Sequence, residues 1–155
     1  MKFLADDTLG RLSKWLRLLG FDTEQYHGAA DRTFLRIAAS RGRIAISRRR
    51  DLTLKQYSGR MIVIRSERLE EQMGELVRNF GLPVDEEKFF CLCLECNVYL
   101  EKISKRHAIG LVPSYILESQ EEFRKCPACG RIFWAGTHRE NAMNFLKRHN
   151  LIGHP

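Results

Sequence analysis

The stretch Lys2-Phe3-Leu4-Ala5-Asp6-Asp7-Thr8-Leu9-Gly10-Arg11-Leu12-Ser13-Lys14-Trp15-Leu16-Arg17-Leu18-Leu19-Gly20 changes periodicity partway along, and that change decides the fold. Residues 2–5 read as a short strand whose Phe3-Leu4-Ala5 run offers an apolar side chain to both faces. From Leu9 onward, Leu9, Leu12, Trp15, Leu16 and Leu19 recur at the i, i+3, i+4 spacing of one helix face. Arg11, Lys14 and Arg17 fall on the remaining surface. Gly20 stands where a helix ends in the left-handed conformation.

The same alternation continues downstream. Residues 21–26 read as a second strand, and Asp31 is a good N-cap for a helix through Phe34, Leu35, Ile37 and Ala38, ending at Gly42. Arg43-Ile44-Ala45-Ile46-Ser47 is a buried-type strand, and residues 48–57 form a polar connection with a short helix. Met61-Ile62-Val63-Ile64 is the fourth strand, and residues 67–80 a third long helix stopped by Gly81 and Pro83. Strands alternating with helices predict an α/β sandwich with a parallel sheet and right-handed crossovers. This first domain spans residues 1–80, and residues 81–88 are the linker.

Beyond the linker the pattern changes. Cys93-Leu94-Glu95-Cys96 and Cys126-Pro127-Ala128-Cys129 are two C-x-x-C pairs separated by 29 residues. Each pair closes a tight loop that aims two thiolates at one ion, as a tetrahedral four-thiolate zinc site requires. Asn97 and Gly130, which tolerate a left-handed backbone, follow the pairs. Disulfides are the competing reading, but the spacing is metal-like and nothing indicates secretion. Cys91 stands off the C-x-x-C spacing and is read as a strand residue leading into the first knuckle. Short strands at 98–100, 110–112 and 131–134 complete a zinc ribbon over residues 89–155, with a closing helix at 141–149. Such a module is too small to bury a core without its ion, so the zinc is structural.

The charge is uneven. Residues 1–80 carry 16 Lys/Arg against 10 Asp/Glu, and residues 81–155 carry 10 against 9. The pI of about 9.4 favours a polyanionic partner. Asp6 and Asp7 interrupt the N-terminus before a signal-peptide core forms, and no apolar run approaches the ~20 residues of a membrane span. A cytoplasmic protein without membrane association is expected.

In an open parallel sheet, ligands collect beyond the carboxyl ends of the strands. Asp6 and Asp7 follow strand one, Asp31 follows strand two, Asp51 lies past strand three and Glu67 follows strand four. Convergent carboxylates bind Mg2+ or Mn2+, which can orient water and neutralise a phosphodiester during in-line attack. Asp7, Asp31 and Asp51 also stand where helix N-caps would stand, and that role needs no metal. Arg48-Arg49-Arg50 is the densest charge in the chain and borders the same edge; with Arg11 and Lys14 it forms the expected phosphate-binding rim. Residues 102–107 are a second candidate for phosphate contact.

Phe3-Leu4-Ala5-Asp6, the Leu9-Gly10-Arg11-Leu12-Ser13-Lys14-Trp15-Leu16-Arg17 helix, Asp31, Gly42-Arg43-Ile44, the four cysteines and Trp134-Ala135-Gly136-Thr137-His138 together resemble the Mut-seven C-terminal RNase family. The likeness runs through essentially the whole chain in the family's order. It implies a PIN-like three-layer sandwich followed by a zinc ribbon, and a metal-dependent ribonuclease acting on RNA. Asp6 and Asp31 would be the first two metal-binding acids. The family pattern after strand three is Thr-Arg-Asp, whereas this chain has Ser47-Arg48-Arg49. Arg49 therefore stands where an acid is expected, replacing −1 with +1 beside the cation. Asp51 could supply the third acid only if its loop changes register. The alternative to an active enzyme is an RNA-binding module with weakened or absent turnover.

Overall fold

The computed structural model describes residues 1–152. Four parallel strands, β1 (Phe3–Asp6), β2 (Thr23–Tyr26), β3 (Ile44–Ser47) and β4 (Met61–Val63), lie in the order β2-β1-β3-β4. The central strands β1 and β3 are buried at every position, as their apolar runs require. Alternate side chains divide the core between the two faces. Phe3, Ala5, Ile44 and Ile46 meet Leu12 and Leu16 of α1 (Gly10–Leu18) and Met73 and Leu76 of α3 (Leu69–Phe80). Leu4 and Ala45 meet Phe34, Leu35 and Ala38 of α2 (Arg32–Ser40). The result is a three-layer α/β sandwich.

Gly20 ends α1 for two reasons. Its φ is +88°, and a Cβ there would lie 2.7 Å from the Lys88 carbonyl oxygen. The linker therefore runs directly against the end of α1, where the Phe90 N–H donates to the Leu18 carbonyl at 2.9 Å.

The ribbon contains three antiparallel strands, β5 (Glu101–Ile103), β6 (Phe123–Lys125) and β7 (Ile132–Phe133), in the order β5-β6-β7. The strand expected at 110–112 does not form. That segment turns at Gly110, φ +79°, between two short helices, α4 (Lys105–Ala108) and α5 (Ser114–Ser119). Pro113, which has no N–H to give a ladder, immediately precedes α5. Residues 98–100 form the return arm of the first knuckle through Leu92–Tyr99 pairing, and β6 takes the ribbon's central position. The closing helix α6 (His138–Arg148) starts earlier than expected. It packs Ala142 and Leu146 into the core shared by α1 and α3, and sets Phe145 against Trp15 with ring centroids 4.4 Å apart.

Candidate functional site

The pairing of Ala5 with Ile46 places Asp6 and Ser47 next along their strands, at the carboxyl edge of the sheet. Both are almost wholly buried, at 3% and 1% exposure. Asp6 Oδ1 accepts from the Thr8 N–H at 3.0 Å and the Thr8 hydroxyl at 2.5 Å. Its Oδ2 accepts from the Ser47 hydroxyl at 2.5 Å and the Arg48 N–H at 3.0 Å. Four donors thus hold one carboxyl between β1 and β3. The same side chain caps the 3-10 turn Asp7–Leu9, so one residue orients the loop and faces the edge.

The other acids are disposed differently. Asp7 is exposed. Asp31 caps α2, its Oδ1 accepting from the Thr33 N–H at 2.8 Å and the Phe34 N–H at 3.3 Å. Asp51 is exposed and engaged by Arg49 through Nε at 2.9 Å and Nη2 at 2.6 Å. That fork holds the Asp51 carboxyl below the usual carboxylate range. The Arg49 guanidinium is correspondingly raised, first by Asp51 and further by the charge of Asp31. Glu67 lies 3.6 Å from Arg48. Arg49 therefore stands among the acids as an internal cation.

Magnesium commonly binds through one or two carboxylates and keeps several waters. The Asp31 cap uses only one of its carboxylate oxygens, whereas both oxygens of Asp6 already accept hydrogen bonds. The donors do not fit a three-carboxylate cage. Among the described residues, the four cysteines are the only group of three or more potential metal ligands gathered together.

The sulfurs of Cys93, Cys96, Cys126 and Cys129 all lie within 4.8 Å of one another, with Cys93 and Cys129 at 3.8 Å. Zn–S bonds of about 2.3 Å in a tetrahedron set sulfurs about 3.8 Å apart, so the donor set fits zinc. Each knuckle closes through a residue with positive φ, Asn97 at +57° and Gly130 at +74°. The Asn97 N–H returns to the Cys93 carbonyl at 3.0 Å, and the Gly130 N–H to the Cys126 carbonyl at 2.9 Å. Crowding four sulfurs together perturbs them. Hydrogen bonding with Cys129, then burial, pushes the Cys96 thiol up to about 12. Burial opposes ionisation of Cys126, but the backbone N–H groups of Cys129 and Ala128 help bring it down to about 7. Cys91 lies outside this group.

The first knuckle is fastened to the opposite edge of the sheet from Asp6. Arg17, expected on the solvent side of α1, is buried at 5% exposure. It donates through Nε to the Thr23 carbonyl at 2.9 Å and through Nη1 to the Leu94 carbonyl at 2.6 Å. The Asn97 side chain accepts from the Thr23 N–H at 2.8 Å and donates to Asp22 at 2.6 Å. Arg43 also grips Asp22, at 2.8 Å. Burial raises the Asp22 carboxyl, but Arg43 and Asn97 outweigh it and hold it below the usual range. Lys14 pairs with Glu95 of the knuckle at 2.7 Å, Arg11 is exposed, and Arg50 is exposed beside Arg49.

A three-layer α/β domain is joined to a ribbon whose four gathered cysteines could hold a metal ion. A family model described as the Mut7-C RNAse domain matches residues 1–146, and the chain belongs to that family. Membership implies RNA as the substrate class. No curated protein and no solved structure matches the chain significantly. No helix among the described residues is long and apolar enough to cross a membrane.

Two participants escaped the sequence reading. Ser47 was legible only as the end of a strand; a hydroxyl one register step past the Ala5–Ile46 pair is the signal that could have found it. Arg17 reads as surface because helical periodicity says nothing of a ribbon folding back over the helix.

Proposed function

We propose that the chain is a metal-dependent ribonuclease of low turnover, hydrolysing RNA phosphodiesters at the carboxyl edge of its sheet. The observation that carries this reading is the burial of Asp6 at that edge with both oxygens oriented, by Thr8 of the following turn and by Ser47 and Arg48 at the end of β3. Asp6 and Asp31 would together hold one Mg2+ or Mn2+. When bound, such an ion neutralises phosphate charge and orients water for in-line attack. Ser47 and the Arg48 N–H keep Asp6 fixed, so no reorganisation is needed when charge develops. Arg48 and Arg50 bind the RNA backbone. Arg49 neutralises Asp51 and competes with the cation for the same acids. Zinc on Cys93, Cys96, Cys126 and Cys129 holds the ribbon together and takes no part in the chemistry. Four zinc-bound thiolates and an unpaired Cys91 suit a reducing compartment such as the cytoplasm.

A second reading is favoured by the Arg49–Asp51 fork: an RNA-binding domain whose turnover has been lost. A cleavage assay on single-stranded RNA, with and without Mn2+ and beside Asp6→Asn, separates the two. Slow cleavage that needs Mn2+ and disappears in Asp6→Asn supports the enzyme. Binding without cleavage at any Mn2+ concentration supports the second reading. Robust cleavage surviving both EDTA and Asp6→Asn contradicts the mechanism.

A further inference from the structure

Where α1, α6 and the ribbon meet, Trp15, Leu18, Phe133, Trp134 and Phe145 line a cavity of about 650 Å³. Flat aromatic walls of this kind accept a planar ring by stacking. The lining also carries His138, Asn141, Asn144 and Arg148, and no carboxylate among the described residues. Amide and imidazole side chains that both donate and accept hydrogen bonds suit the edge of a base, and a guanidinium suits the phosphate attached to it.

The groove is connected to the Asp6 edge by a basic helix face. Arg11 and Lys14 are exposed on α1, and Trp15 is half-buried. Spacings of three and four residues put Lys14 and Trp15 beside Arg11 on one side of the helix. Arg11 to Leu18 spans about 10 Å of helix, a length that a few extended nucleotides cover. At the groove's Leu94 wall, Lys14 and Arg131 share the single carboxylate of Glu95, at 2.7 and 3.6 Å, leaving a net positive charge. An apolar peptide or a second copy of the chain would fill the floor but leave these cations unmatched; a polyanion carrying flat rings matches both.

We propose that this groove binds an unpaired base of single-stranded RNA, a few nucleotides along the strand from the phosphate at the Asp6 edge. The proposal rests on the RNA reading above and adds where the rest of the strand lies.

The chain has two tryptophans, Trp15 and Trp134, and both line the groove, so intrinsic tryptophan emission reports its occupancy. The test titrates the zinc-loaded full chain, without added Mg2+ or Mn2+, with an end-labelled single-stranded RNA of about eight nucleotides. Anisotropy of the label and tryptophan emission are followed together. The expected result is saturable quenching that tracks the anisotropy. An abasic sugar-phosphate strand of the same length should bind about 5- to 100-fold more weakly and leave emission unchanged. Arg148→Glu should also weaken binding of the intact RNA. Binding by anisotropy with unchanged emission overturns the groove proposal while leaving the RNA reading intact. No binding by anisotropy overturns both. Emission that changes with protein concentration alone, and not with RNA, marks a second copy in the groove and overturns the proposal. The abasic comparison uses the unmodified chain, so it does not depend on a variant folding.

Discussion

Asp6 carries two loads that pull in opposite directions. As a metal ligand it would be most useful with free lone pairs, yet both oxygens already accept hydrogen bonds. Those bonds make it structural as well. Asp6→Ala would leave the buried Ser47 hydroxyl and the Arg48 N–H without their acceptor, and unsatisfied buried groups cost roughly 1–3 kcal/mol. Urea unfolding of Asp6→Ala should therefore show a stability loss of about that size. Unchanged stability would mean that the clamp does not hold β1 to β3. The strand, the aspartate and the amphipathic helix are all legible between Phe3 and Leu19, because periodicity is a local property. The partners of Asp6 were not, because Ser47 reaches it only through a parallel pairing 41 residues away. Asp31 shows the converse. Its cap was readable from sequence, and the structure confirms the cap.

The elements most dependent on one another are the first knuckle and the start of β2. Arg17 is buried, and burial lowers its guanidinium from the usual value, an effect opposed by the charges of Glu95 and the knuckle thiolates. Removing zinc from the proposed four-thiolate site would free the loop whose carbonyls accept from Arg17, leaving a buried donor without that partner. Chelation should consequently lower the melting temperature of the whole chain; a separate early transition confined to the ribbon would show that the joint transmits nothing. Cys93→Ser should abolish stoichiometric zinc by elemental analysis, while Cys91→Ser should retain it. The same joint is acid-sensitive. Because Asp22 has a folded value below its unfolded value near 3.9, its contribution is fully present above pH ~4 and is lost as pH falls through the lower folded value. Asp22→Asn should flatten the fall in unfolding free energy between pH 5 and pH 2. An identical slope in the variant would place the acid sensitivity elsewhere. None of this joint was legible in the sequence, since Arg17 follows the spacing of an exposed residue and Asn97 that of a turn.

Across the whole molecule, the ribbon joint and the Asp6 edge occupy opposite ends of the same four-strand sheet. Strands of four residues rise about 3.3 Å per residue, so the two ends lie on the order of 10 Å apart. Residues 1–80 carry 16 Lys/Arg against 10 Asp/Glu, so this domain holds the chain's basic excess. RNA affinity should accordingly fall steeply with salt. Reversing the charges of Arg48 and Arg50 together should reduce the log K against log salt slope by about 1.4, at roughly 0.7 per phosphate contact. An unchanged slope would move the binding face to another surface, with residues 102–107 the next to test. The alternation of strands and helices and the cysteine spacing were enough to read this architecture. The helical insertion between β5 and β6 was not, because Gly110 and Pro113 mark a break without saying what lies on either side.

The central claim is that phosphodiester chemistry occurs at Asp6 and is held back by the cation at position 49. Single-turnover cleavage of one RNA, measured across a Mn2+ titration for the unmodified chain and for Arg49→Asp, tests it most directly. Removing the repelling charge and supplying a carboxylate should lower the Mn2+ concentration needed for half-maximal rate and raise the rate itself, by tenfold for each ~1.36 kcal/mol recovered. An Arg49→Asp rate equal to or below that of the unmodified chain, with the same Mn2+ dependence, would contradict the account.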